Sequence, residues 1–175
     1  MPRLGRGRAG TGPGAPERVE RLVLLDAVPF LPGYRWHTLA RQWRRPGIGE
    51  LAMGFTTKWI VRRLLRLPDE SAFPEDELDE IWRHFDHGTQ RAILRLYRSA
   101  PESVLEAAGA RLGELRCPGL VVWGASDPYL PEHFARDYAA AIGGDTAVEI
   151  VAGGGHWVWH SDPRVIDVVA DFLLG

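Results

Sequence analysis

Three short apolar runs constrain the fold of this chain more than any other feature. They are Arg21 to Asp26, Leu120 to Trp123 and Val148 to Val151. Each is apolar almost throughout rather than alternating, which is typical of strands that are buried on both faces of a parallel sheet. Helical patterns follow the second run, at Pro131 to Ile142, and the third, from Asp162 onward. The order strand, helix, strand, helix predicts an α/β fold with parallel pairing.

The interval between the first and second predicted strands is helical in pattern throughout. Apolar residues recur at i, i+3, i+4 and i+7, first at Trp36, Leu39, Ala40 and Trp43 and again at Leu78, Ile81, Trp82 and Phe85. An insertion of this length between two strands is too long for a simple crossover, so we predict a helical subdomain over 34–115. The flanking units are then a core strand over 17–33 and a C-terminal α/β core over 116–175.

The first sixteen residues differ in composition from the rest of the chain. They hold five glycines, three prolines and three arginines, and Leu4 is their only large aliphatic residue after Met1. Such a segment buries too little apolar surface to offset its ordering entropy, so we predict a disordered tail over 1–16. The codons of these residues are GC-rich, and we favour a truncated or frame-shifted start over a functional basic arm.

The charge and cysteine content exclude several classes of function. A formal net charge of -2 gives no reason to expect nucleic acid or an anionic membrane as a partner. Cys117 is the only cysteine, so no internal disulfide forms and no cysteine cluster holds zinc. No apolar stretch approaches the length of a membrane span, and the Arg-rich start lacks the hydrophobic region of a secretory signal. We therefore expect a cytoplasmic protein.

Charge is unevenly distributed within the helical interval. Gly33 to Arg66 is strongly basic, whereas Asp69 to Asp86 is strongly acidic. The preferred interpretation is two solvated faces that pair across the helices. The alternative is a field that steers a charged ligand.

An acid and a histidine follow the last two predicted strands. Asp127 comes directly after one strand in LVVWGASDPYLP, and His156 follows three glycines in VEIVAGGGHW. A histidine suits the activation of a nucleophile because its ordinary pKa lies near neutrality, and a carboxylate fixes its tautomer and stabilises the imidazolium. Taken singly, Asp127 fits a turn before Pro128 and His156 fits a surface loop. Taken together, their spacing favours a catalytic pair at the carboxyl edge of the sheet.

Other chemistry-bearing residues form weaker patterns. Ser126 lacks the flanking glycines of a nucleophile turn and is interpreted as a turn residue, and Cys117 is interpreted as a small core thiol. His84, Asp86 and His87 suggest a metal site only weakly, because they lie at a predicted helix end, so we predict none. No G-x-S-x-G segment precedes Asp127.

These segments resemble the second half of an α/β-hydrolase-fold enzyme with a helical cap. The resemblance runs from Glu17 to the C-terminus and rests on RLVLLDAVPF, the helical lid, CPGLVVWGASDPYLP and GGGHWVWHSDP. It is nearest to bacterial epoxide hydrolases, haloalkane dehalogenases and small esterases. It implies a partial α/β-hydrolase fold: few parallel strands with an inserted all-helical cap. In the family, five strands and the nucleophile turn precede the segment that corresponds to RLVLLD.

The resemblance also implies an activity. Enzymes of this family hydrolyse an ester, an epoxide or a carbon–halogen bond without a cofactor, through a nucleophile, an acid and a histidine in that order along the chain. Asp127 and His156 would be the acid and the histidine, and Trp157 a weaker candidate for contact with a small apolar substrate. Whether the nucleophile is Ser or Asp stays open. No nucleophile is recognised in this chain, so we expect it to be inactive alone.

A sheet with so few strands leads to an expectation about self-association, and the missing nucleophile leaves an alternative function open. The strand at Leu22 to Leu25 would expose an unpaired apolar edge, and such edges promote self-association. The alternative to an enzyme is a non-catalytic remnant of the same fold that binds a small apolar ligand or a partner chain.

Overall fold

A computed structural model describes residues 16–67 and 73–175. It contains three parallel strands, β1 (Leu22–Leu25), β2 (Gly119–Gly124) and β3 (Thr146–Val151), in the order β1-β2-β3. The α/β architecture with parallel pairing is therefore confirmed. The predicted disorder of the N-terminal tail lies outside the described residues, except at Pro16, which begins a short 3-10 turn.

Nine α-helices lie within the described residues, joined to the strands and to each other by loops. Six lie between β1 and β2, one lies between β2 and β3, and two follow β3. They are α1 (Thr38–Trp43), α2 (Ile48–Gly54), α3 (Lys58–Leu65), α4 (Glu75–Arg83), α5 (His87–Ser99), α6 (Glu102–Gly109), α7 (His133–Ala141), α8 (Val158–Ser161) and α9 (Arg164–Leu174).

The central strand β2 alone shows the burial predicted for all three strands. Each of its residues is buried, because α7 covers one face and α9 the other. In β3, Ala147 and Glu149 are exposed while Val148 and Ile150 are half-buried. The expectation that this third strand is covered on both faces is therefore wrong. β3 is an edge strand, and the described residues cover only one of its faces.

Two apolar clusters fix the layers on either side of the sheet. On one face, Val121 and Trp123 of β2 pack with residues of α7, including the almost fully buried Tyr138. On the other face, Leu120 and Val122 pack with Val158, Val165 and neighbouring residues of α8 and α9. Alternate residues of β2 thus anchor helices on opposite faces, which aligns the carboxyl ends of all three strands at one edge.

The helical interval 34–115 packs closely on the sheet. Tyr34, Trp36 and Ala40 belong to the same buried cluster as Val121, and so does Leu105 of α6. One buried cluster therefore joins residues on both sides of the predicted boundaries at 33/34 and 115/116. The division of the chain into units at these boundaries stays a proposal.

Ion pairs join the basic and acidic parts of the helical interval. Lys58 of α3 lies 2.5 Å from Asp79 of α4, and Arg62 and Arg66 lie 2.6 and 3.2 Å from Glu75. The preferred interpretation of this charge division, pairing across the helices, is therefore confirmed where residues are described. Such exposed pairs add little stability singly, but together they set how α3 lies against α4.

Two exclusions made from sequence can be compared with the described residues. Within 16–67 and 73–175, no helix has both the length and the hydropathy needed to cross a membrane. Cys117 is a free, buried thiol, as predicted.

Candidate active site

Asp127 is held rigidly at the end of the turn that follows β2. Its Oδ1 accepts hydrogen bonds from the backbone N–H groups of Tyr129 at 2.7 Å and Leu130 at 3.1 Å, and its side chain is fully buried. Such bonds from a residue's own turn are the usual behaviour of Asp in loops. The turn-forming interpretation of Asp127 is therefore correct, and the turn leaves Oδ2 free for a second partner.

The glycine-rich loop after β3 places His156 beside Oδ2 of Asp127. Gly153 has φ +73°, a conformation that favours glycine, and the backbone of Gly154 and Gly155 passes so close to Gly124 that a Cβ there would lie 2.2 Å from the Gly155 oxygen. Ser126 N–H donates to the Gly154 oxygen at 2.8 Å. The acid loop and the histidine loop are thus locked together through backbone contacts.

The resulting pair is close and largely shielded from water. His156 Nδ1 lies 2.7 Å from Asp127 Oδ2, an ordinary hydrogen-bond distance, and the His156 side chain is 21% exposed. Because the Asp127 carboxylate accepts only, Nδ1 carries the proton and donates it. The neutral ring therefore keeps Nε2 unprotonated and available as a base.

A second buried carboxyl, which the sequence analysis did not single out, lies beside this pair. Asp26, at the end of β1, is 5% exposed and its Oδ1 accepts from Gly124 N–H at 2.9 Å. Burial raises the pKa of Asp26 to about 7, and Asp127 adds to the rise, while the Gly124 N–H, His156 and the Val158 N–H oppose it. Asp26 Oδ2 has no hydrogen-bond partner of ordinary geometry within the described residues.

An apolar pocket of about 330 Å³ lies in front of His156. Its walls come from both the sheet edge and the helices, and most of them are aromatic or aliphatic. They are Val28, Tyr34, Trp36, His37, Leu39, Trp43, Leu64, Leu65, Ile93, Tyr97, Tyr129, Leu130, His156 and Trp157. This volume lies at the lower end of the range for small-molecule sites.

Two polar side chains in the pocket wall add hydrogen-bonding capacity. The His37 Nδ1 accepts from the N–H of Ala40 at 3.4 Å and so caps α1, which places the proton of the neutral ring on Nε2. Burial lowers the pKa of His37, and His156 lowers it further, so the neutral ring is favoured. Tyr34 is 3% exposed, and its hydroxyl has no partner within the described residues. An unpaired buried hydroxyl is costly unless a ligand or water satisfies it.

Side chains from the loop that contains Asp127 and from the loop that contains His156 hold α3 over the pocket. Trp157 Nε1 donates to the Leu65 oxygen at 3.0 Å, and the Tyr129 hydroxyl donates to the Leu64 oxygen at 3.4 Å. These carbonyls belong to the last turn of α3, where the regular ladder of helical N–H donors ends; the Leu64 oxygen also accepts from Leu67 N–H at 3.4 Å. Trp157 therefore lines the pocket, with its ring 4.7 Å from that of His156, and also ties the helices to the histidine loop.

The remaining sequence candidates lie apart from the pair. Ser126 is exposed in the acid turn. His84 and His87 bond to Glu80 and Gln90 on the surface of α4 and α5, and the described residues contain no cluster of three or more potential metal ligands.

Comparisons with known proteins give the same fold. A model of an alpha/beta hydrolase family matches residues 4–167. An uncharacterized protein of Mycobacterium tuberculosis, Rv2715, is 33% identical over 101 residues, covering 46% of this chain and 29% of that protein. The chain thus spans less than a third of the curated relative it matches.

Several solved structures of enzymes named as hydrolases or dehalogenases have a similar fold. A 2-hydroxy-6-oxo-6-phenylhexa-2,4-dienoate hydrolase from Rhodococcus sp. is 18% identical with a TM-score of 0.69, over 91% of this chain and 57% of that one. A haloalkane dehalogenase from Bradyrhizobium elkani is 22% identical with a TM-score of 0.67, over 90% and 60%. An epoxide hydrolase is 19% identical with a TM-score of 0.69, over 89% and 59%.

At these identities the solved structures show a common fold and no more. The chain spans little more than half of each of them, so its partial α/β-hydrolase fold agrees with the expectation from sequence. Because the family model covers nearly the whole chain, this protein belongs to the alpha/beta hydrolase family.

Proposed function

We propose that Asp127 and His156 are the acid and the base of a hydrolase that cleaves an ester, an epoxide or a carbon–halogen bond. The observation that carries the proposal is the 2.7 Å contact between Nδ1 of His156 and Oδ2 of Asp127 at the wall of an apolar pocket. Two backbone N–H groups hold the carboxylate from its other side. This arrangement supplies a base of fixed tautomer and a fixed anion to stabilise the imidazolium.

The chemistry depends on which nucleophile the pair serves. With a serine, Nε2 of His156 takes the hydroxyl proton as Oγ attacks the carbonyl carbon, and returns it to the departing alkoxide. Water then releases the acid by the same route. With an aspartate, the carboxylate displaces the halide, which leaves to solvent, or opens the epoxide to an alkoxide, which takes a proton from water. His156 then takes a proton from the water that cleaves the resulting ester and releases that proton to solvent. In both cases Asp127 stays ionised.

The nucleophile itself is not recognisable in the 175 residues. They contain no G-x-S-x-G or G-x-D-x-G segment, and Ser126 lies in a turn without the flanking glycines. We therefore propose that this chain alone does not turn over substrate. The pocket walls favour a small apolar substrate, and the Tyr34 hydroxyl would supply a hydrogen bond to a substrate oxygen.

Hydrolysis assays on two proteins test the proposal. The purified 175-residue chain should release no nitrophenol from p-nitrophenyl butyrate and no diol from styrene oxide above background. A second protein, extended with coding sequence upstream of Met1 in whichever frame encodes G-x-S-x-G or G-x-D-x-G, should be active. In it, His156→Ala should lower kcat by about 10³-fold or more, whereas His133→Ala, at an exposed histidine on α7, should not.

Two results would contradict the proposal. One is activity of the extended protein that survives His156→Ala and Asp127→Ala. The other is turnover by the 175-residue chain that disappears in those variants, because some residue of this chain, Ser126 first, would then be the nucleophile.

A further inference from the structure

A second cavity lies among the helices next to the pocket in front of His156. It has a volume of about 480 Å³, larger than the pocket itself, and we call it the helix chamber. Met53 of α2, Val61 of α3, and Ile81 and Phe85 at α4 and its C-terminal end line the parts of it that the pocket does not reach. An apolar cavity of about 150 Å³ already binds benzene, so the helix chamber has room for a larger apolar group.

The helix chamber and the pocket adjoin each other. Trp43, Leu64, Leu65 and Ile93 line both cavities. Three of these four side chains are aliphatic, and all four are only half-buried, so a ligand that passes between the cavities need displace only side chains. A ligand that starts beside His156 therefore reaches the chamber without crossing packed backbone.

The electrostatics of the helix chamber exclude a charged occupant. Its polar side chains are Glu80 and His84, which are exposed, and two threonines, Thr89 and Thr56, of which Thr56 donates its hydroxyl to the Ala52 oxygen at 2.7 Å. Glu80 already pairs with Arg83 and with His84, whose Nε2 lies 2.8 Å from it, and the Thr89 hydroxyl donates to the His84 oxygen. The deep lining includes the buried Met53 and Val61, which offer no charge and no side-chain hydrogen bond.

We propose that the helix chamber binds an uncharged, apolar tail of the substrate whose reacting end lies beside His156. The reaction at that end rests on the proposed function, but the binding of the tail does not. The substrate class is thereby narrowed to molecules with a small reactive head and an apolar tail of several carbons. Met53 favours such a ligand because its flexible thioether adapts to tails of different length.

Methyl NMR on the purified chain tests the proposal. The sequence contains only two methionines, Met1 and Met53, so a chain with ¹³C-labelled methionine methyl groups gives one signal from the chamber. The probes are p-nitrophenyl alkyl ethers from ethyl to decyl, which cannot be hydrolysed as esters. Ethyl ether should leave the Met53 signal in place and decyl ether should shift it. Affinity should rise about fourfold per CH₂ that enters the chamber.

Substitutions at Ile81 distinguish the helix chamber from the pocket, because Ile81 lines only the former. Ile81→Trp fills the chamber and should lower decyl ether affinity at least 100-fold while ethyl ether affinity stays within twofold. Ile81→Ala enlarges the chamber and should extend the rise in affinity to longer tails, which keeps the test valid if the Trp variant does not fold. Leu96→Trp, on the exposed side of α5, is the matched control and should bind as the wild type does.

Different outcomes separate this proposal from the proposed function. Two outcomes would contradict the assignment of the helix chamber as the site of the tail. One is a Met53 signal that does not shift when decyl ether is added, and the other is equal affinity for decyl ether in the wild type and Ile81→Trp. His156→Ala should leave the Met53 response to decyl ether intact. The effect of His156→Ala on hydrolysis is measured in the extended protein and bears on the proposed function alone.

Discussion

Replacing Asp26 by Asn removes an ionisable group from the buried end of β1 and preserves the oxygen that accepts from Gly124 N–H. In the folded protein burial raises the pKa of Asp26 to about 7, against an ordinary value of 3.8. Between these two pH values the folded state holds a proton that the unfolded state has lost. The contribution of Asp26 to the free energy of unfolding of the wild type therefore falls as the pH rises from about 4 to about 7.

The size of the effect follows from the shift. A shift of about three pKa units corresponds to about 4 kcal/mol, at roughly 1.4 kcal/mol per unit. Asp26 is 5% exposed, so solvent screening does not reduce this order of magnitude. Asp26→Asn is uncharged at every pH, so it should match the wild type near pH 4 and exceed its free energy of unfolding by about 4 kcal/mol above pH 7.

Urea denaturation followed by tryptophan fluorescence measures this difference at intervals between pH 4 and pH 8.5. The difference between the two proteins isolates Asp26, because the other titrating groups are common to both. Asp171→Asn, an exposed substitution on α9, is the control and should change stability by less than about 0.5 kcal/mol throughout. Parallel stability curves for the wild type and Asp26→Asn would refute the reasoning.

Three further predictions concern contacts around the site and the edge of the sheet. His37→Asn should keep the cap on Ala40 N–H and nearly wild-type stability, whereas His37→Ala should cost about 1 kcal/mol in urea denaturation; equal losses would contradict the capping role. Trp157→Phe should cost about 1 kcal/mol through the lost bond to the Leu65 oxygen, and an unchanged midpoint would contradict it. Because β1 pairs only with β2 in the described chain, light scattering after size-exclusion chromatography should give a mass above 19.5 kDa; a monodisperse monomer with a sharp cooperative melt would contradict self-association.

The parts of the fold that sequence predicts well are those that local chemistry determines. Near-continuous apolar runs identify β1 and β2, and Asp127 and His156 follow strands whose parallel pairing brings their ends to one edge. The run Val148 to Val151 predicts a strand covered on both faces, but it contains Glu149, which faces solvent. In the structure, exposure alternates along β3, as in an edge strand that is covered on one face.

The residues that sequence analysis missed depend on contacts distant along the chain. Asp26 follows β1, just as Asp127 follows β2. The contact that buries Asp26 is with Gly124, which is 98 residues away along the chain. The pocket roles of His37 and Tyr34 depend on how α1 and its approach pack over the sheet edge. His160 packs its ring 4.5 Å from that of Phe73, far along the chain from it. None of these contacts has a local sequence signal.

The bond between His156 and Asp127 is the most direct test of the account. In the chain with ¹⁵N-labelled histidine, one of the six histidines should show a proton on Nδ1 that exchanges slowly with water and resonates far downfield. That resonance should vanish in Asp127→Ala and persist in Ser126→Ala. Its absence from the wild type, or its survival in Asp127→Ala, would contradict the assignment of Asp127 and His156 as an acid–base pair.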